Sequence, residues 1–136
     1  MCGCARINIA VSLVALTTIV WCVRFAVTQE HRRTPEFLQS KYQELNRTFF
    51  ENSLPTARVE WADLTDADAM GRTIRESDDM FVILVDRNTN FADDDLDDAV
   101  RHETCHIATW WKEQDMHGPV FQACMARIKQ ADHNHN

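Results

Sequence analysis

Residues 102–106 read His-Glu-Thr-Cys-His, and His117-Gly118-Pro119-Val120-Phe121 follows eleven residues later. On a helix each residue turns the chain by about 100°, so His102 and His106 fall one turn apart on one face. Two imidazoles so placed suit one tetrahedral Zn²⁺, and His117 can return from a following element as third ligand. Three protein ligands leave the fourth position open, which marks a catalytic rather than a structural zinc site. Glu103 lies beside the pair without being a ligand. The chemistry this suggests is hydrolysis of a carbonyl compound, with peptide bonds the natural substrate class. Zinc lowers the pKa of water towards neutrality and polarises the carbonyl. Glu103 takes the water's proton as general base and hands it to the leaving amine.

The elements that must position these residues are legible in outline. The acidic lead-in Asp93–Asp98 suits a helix N-terminus. Leu96, Ala99, Val100, Ile107 and Trp110 then form an apolar stripe at helical spacing. Thr34-Pro35-Glu36 reads as a helix start: a hydroxyl cap, proline at the first position and an acid in the first turn. Phe37, Leu38, Tyr42, Leu45, Phe49 and Phe50 repeat on one face until Asn52, Ser53 and Pro55 stop the helix. Arg58–Trp61 and Thr73–Arg75 are candidate short strands, and the run from Met80 to Val85 reads as a buried strand. Helices follow at about 93–112 and 117–131. The order helix, strands, helix, helix is that of an α+β domain. Edge pairing with an extended peptide would give affinity without sequence readout. The strand over Met80–Val85 fits an edge or a central position equally well.

With these motifs in place, the chain resembles the SprT-like metalloprotease domains, the module also found in Spartan-type DNA–protein crosslink proteases. Leu45-Asn46-Arg47-Thr48-Phe49-Phe50 with Leu54-Pro55 resembles the family's opening helix and its exit. Val59-Glu60-Trp61 and Gly71-Arg72-Thr73 resemble its first two strands, and the two histidine segments match its active-site helix and third-ligand segment. The resemblance covers about residues 36–130. It implies a zincin-like α+β fold with a long N-terminal helix, a small β-sheet, a helix carrying HExxH and a following helix. It also implies His102, His106 and His117 as Zn²⁺ ligands and Glu103 as the catalytic base.

Ahead of this domain, Ile7 to Val23 is an uncharged run bounded by Arg6 and Arg24. It reads as a hydrophobic helix over 7–27, after an N-terminal tail at 1–6 and before a polar linker at 28–35. The domain then spans 36–131, and 132–136 is a disordered tail. A retained single-pass membrane anchor is the expectation. A cleaved signal leading to a secreted or periplasmic protein, or a cytoplasmic location, are the alternatives. Arg24, Arg32 and Arg33 after the span, against Arg6 before it, lean towards a cytoplasmic catalytic domain; a signal-like start leans the other way.

Cys105 and Cys124 fall on two different helices and read as small core residues rather than a disulfide. No Cys-x-x-Cys pair is present, so there is no zinc ribbon. Residues 34–136 hold ten Lys and Arg against twenty Asp and Glu, a net charge of −10. Such a domain is repelled by phosphate backbones, so direct nucleic-acid binding is not expected. The expected partners are a protein or peptide substrate and, through the N-terminal segment, a membrane; oligomeric state is left open. Two functions remain: a membrane-tethered zinc endopeptidase, or a non-catalytic domain that keeps zinc as a fold element and binds a partner. Glu103 favours the enzyme, because a purely structural site has no use for a carboxylate there.

Overall fold

The computed structural model describes residues 34–67, 69–89, 91 and 93–133. The hydrophobic run at 7–27 and the last three residues lie outside them. Among the described residues no helix is long and apolar enough to cross a membrane.

Three helices and a three-stranded sheet make up the α+β domain. In chain order they are α1 (Pro35–Phe50), β1 (Thr56–Ala62), a 3₁₀ turn (Thr65–Ala67), β2 (Gly71–Arg75), β3 (Met80–Asp86), α2 (Asp93–Thr109) and α3 (Pro119–His133). Helix α1 starts at the expected proline and buries Leu38, Tyr42 and Leu45. It ends where Glu51 and Asn52 turn into positive φ, 55° and 58°. Asn tolerates that conformation better than most residues, which makes the Asn-Ser-Leu-Pro exit a true stop.

The sheet order is β1-β3-β2. β3 pairs parallel with β1 and antiparallel with β2. The apolar run Met80–Val85, which could have been an edge, is therefore the central strand, with β2 on its flank. Phe81, Ile83 and Val85 on one face of β3 are fully buried and join the core with α1 and α2. Directly paired residues point to the same face of a sheet. Ala57 and Val59 oppose Phe81 and Ile83 across β1, and Gly71 and Thr73 oppose Val85 and Ile83 across β2. Gly71 and Thr73 thus face the helices. The far edge of β1 is partly closed by a side chain: Gln39 Nε2 donates to the Ala57 carbonyl at 2.9 Å and Gln39 Oε1 accepts from Val59 N–H at 3.0 Å.

The expectation for the two helical cysteines is corrected. Cys105 of α2 and Cys124 of α3 form a disulfide, with Cα atoms 5.9 Å apart. Sequence spacing shows that both lie on helices but not that α2 and α3 pack with these positions face to face. The bond closes a loop of 19 residues, for which chain entropy gives about 3 kcal/mol of stabilisation. The double variant Cys105→Ala/Cys124→Ala should lower the free energy of unfolding by about that amount in denaturant titration. Free-thiol titration of the unreduced, unfolded chain should find neither cysteine. Reactive thiols at both Cys105 and Cys124, beyond those of Cys2, Cys4 and Cys22, with an unchanged unfolding midpoint on adding reductant, would contradict the pairing.

Candidate metal centre

Helix α2 carries the His-Glu-Thr-Cys-His segment on its last turns. Its apolar stripe anchors it: Leu96, Val100 and Ile107 are buried against the sheet and the neighbouring helices. Thr104 and Thr109 turn their hydroxyls back to the carbonyls of Val100 and Cys105, at 2.7 and 2.9 Å, so these buried side chains stay satisfied inside the helix. The other face presents His102 and His106 to the cleft.

His117 arrives from the loop between α2 and α3, and a carboxylate fixes its position. Glu113 Oε1 accepts from Phe121 N–H at 2.6 Å and Oε2 from Val120 N–H at 3.1 Å. These are orphan donors at the start of α3, where negative charge is also favoured by the helix dipole. Asp115 Oδ1 accepts from His117 N–H at 3.0 Å. Gly118 is buried, and a Cβ there would land on Glu113 Oε2. Its glycine identity is thus a matter of room, and Pro119 supplies the preset first helical position.

The outcome is a convergence of three ring nitrogens. His102 Nε2 lies 3.1 Å from His106 Nε2 and 3.1 Å from His117 Nε2. Among the described residues these three form the cluster able to hold a metal ion. Two Zn–N bonds of 2.0–2.1 Å at a tetrahedral angle put their nitrogens about 3.3–3.4 Å apart, so both spacings from His102 fit zinc with small adjustment. In the tautomer that leaves each Nε2 unprotonated, the three rings offer their lone pairs to one cation between them. Phe121 forms the floor, its ring centroid 4.9, 4.6 and 4.9 Å from those of His102, His106 and His117. His106 Nδ1 is buried with no hydrogen-bond partner among the described residues, so this ring is aimed by packing against Phe121. Metal-ligating histidines more often have an outer carboxylate or carbonyl for that purpose.

Glu103, 4% exposed, points between α2 and β2. The Thr73 hydroxyl lies 2.8 Å from Glu103 Oε2 and 3.1 Å from its backbone oxygen. Burial lifts the carboxyl to about 6, against the opposing pull of hydrogen bonds from the Thr73 hydroxyl and backbone. A carboxyl near neutrality is suited to exchange protons in both directions. Burial, then the neighbouring charges of His102 and His117, press His106 down to about 4. His102 is lowered as well, by burial first and then by His117 and Lys129. Both rings are therefore held neutral, the form that ligates a metal.

A cleft of about 630 Å³ opens over these residues, lined by Met70, Gly71, Thr73, Met116, Met125 and the three histidines among others. Sequence reasoning placed His102, Glu103, His106 and His117, and the structure brings all four together. It missed Glu113 and Asp115, whose effect passes through backbone N–H groups of a later helix, and the inward aim of Thr73, which follows from strand register. The alternation of Gly71 and Thr73 was the available signal for the latter.

The sign of the pH response follows for the metal-free chain. His106 has a folded value near 4 against 6.5 in the unfolded chain, so its contribution to stability is lost as pH falls below about 6.5. Glu103 has the opposite sign: its raised value favours the fold below about 4.5, and that contribution is lost as pH rises through about 6. NMR titration of the metal-free chain should find the His106 ring still neutral at about pH 5.5, well below the ordinary histidine midpoint. A His106 midpoint near 6.5 would contradict its burial.

No curated protein matches the chain. The SprT-like family model matches residues 38–136, which takes in all three helices but for the first turn of α1, the whole sheet and every residue of the histidine cluster. The chain belongs to the SprT-like family.

Proposed function

We propose that this chain is a zinc-dependent endopeptidase acting on polypeptides in an extended conformation. The observation that carries this reading is the pairing of an open three-histidine cluster with a buried carboxylate one residue from a ligand. A structural zinc site closes its fourth position with protein; here the cluster faces a cleft and Glu103 borders the same space. Zinc held by His102, His106 and His117 would supply Lewis-acid polarisation of a carbonyl and a lowered pKa for water.

This chain's own residues provide the rest. Glu103 accepts the proton of water attacking the peptide carbonyl and delivers it to the departing amine, a cycle that its position near pH 6 favours. β2 lies on the flank of the sheet and borders the cleft through Gly71, Arg72 and Thr73. An extended peptide can pair with its outer edge by backbone hydrogen bonds, which gives binding with little sequence preference. Exposed Met70 and Met116 and half-buried Met125 offer soft apolar walls that adapt to varied side chains.

The 7–27 segment is proposed as a membrane tether. The Cys105–Cys124 bond favours a compartment that keeps disulfides oxidised, and so the outward of the two orientations open to the catalytic domain. The net charge of −10 over 34–136 speaks for protein rather than nucleic-acid partners.

Glu103→Gln keeps the side chain's shape and removes its basicity. Zinc content should stay at the wild-type level while hydrolysis of an unfolded, fluorophore-labelled casein falls by about 10²–10⁴-fold. Undiminished cleavage by this variant would sink the mechanism.

A further inference from the structure

Glu103 is gripped from two sides by one face of β2. Its Oε2 lies 2.8 Å from the Thr73 hydroxyl. Its other oxygen lies against Gly71: a Cβ built there would sit 2.7 Å from Oε1, 2.9 Å from Cγ and 3.1 Å from Cδ. No glycine among the described residues has a positive φ, so the backbone at Gly71 does not itself require glycine. A glycine inside a strand is otherwise a weakness, since it costs backbone entropy and packs nothing. What it gives here is space for the carboxylate. Residues 71 and 73 are two apart on β2, hence on the same face, and their partners Val85 and Ile83 fix that face towards α2.

We infer that Gly71 and Thr73 form a clasp on β2 that positions the general base, the missing side chain admitting Oε1 and the hydroxyl holding Oε2. The inference rests on the endopeptidase reading and adds to it the residues through which the strand flanking the cleft controls the carboxylate. Thr73 and Gly71 are positioning residues, acting through Glu103. One strand would then present its outer edge to substrate and its inner face to the base, so the register of bound peptide and the aim of the carboxylate are set by the same backbone.

Two measurements test it. The first needs no activity. In the full-length chain, Gly71→Ala should lower Tm, because the new Cβ meets Glu103. In the Glu103→Ala background the same substitution should raise Tm, since the obstruction is gone and the strand gains a better residue. Equal shifts in the two backgrounds would overturn the clasp. The second uses the zinc-loaded chain and labelled casein. Thr73→Val should lower kcat at least tenfold with KM and zinc per chain unchanged, and Thr73→Ser should restore most of the loss. Wild-type kcat in Thr73→Val, or an equal loss in Thr73→Ser, would remove the hydroxyl from its assigned role while leaving the endopeptidase reading intact. If hydrolysis by the wild-type chain does not depend on Glu103, the endopeptidase reading itself falls and the positioning role with it; the Tm comparison then reports only a packing contact.

Discussion

The gathering of two imidazole nitrogens, of His106 and His117, each 3.1 Å from that of His102, is the constraint on which the rest of the structure depends. Three ring nitrogens this close suit a cation that accepts one lone pair from each. The helix register that aligns His102 with His106, the loop that returns His117 and the aromatic floor of Phe121 all serve that convergence. Burial keeps the His102 and His106 rings neutral, the form in which an imidazole ligates a metal.

Two contacts between a glycine and a carboxylate flank the centre. Gly118 makes room for Glu113, which caps the helix after the third histidine. Gly71 makes room for Glu103, which faces the cleft itself. Neither glycine adopts a positive φ, so both are small for the sake of a neighbour. The disulfide between α2 and α3 adds a covalent tie between the helix bearing two histidines and the helix that follows the third. The site thus stands on a strand, two helices and one capped loop, each fixed by a different interaction. Rigid support of this kind holds converging side chains in a fixed geometry.

Much of this was legible in the sequence because the determining patterns are local. The i, i+4 histidines, the apolar stripe of α2, the Thr-Pro-Glu start of α1 and the Asn-Ser-Leu-Pro exit each act within a few residues. The structure keeps them with small changes: α2 ends at Thr109 rather than about 112, and α3 runs from Pro119 to His133. What escaped depends on pairing across the fold. Hydrophobicity alone cannot tell that β3 is central, since an apolar run fits a central strand or one covered edge. The Cys105–Cys124 bond needs two helix faces to meet, which no spacing rule reports. Glu113 works through the backbone N–H groups of Val120 and Phe121, and nothing in its own neighbourhood marks it.

The central claim is that His102, His106 and His117 together hold one zinc ion. The most direct test is the zinc content of the purified chain, measured by atomic emission beside His117→Ala. About one equivalent per chain in the wild type, lost or much reduced in the variant while the fold persists by circular dichroism, is the predicted result. A folded wild-type chain that takes up no zinc when it is supplied, or a His117→Ala chain that binds it as tightly as wild type, would contradict the account.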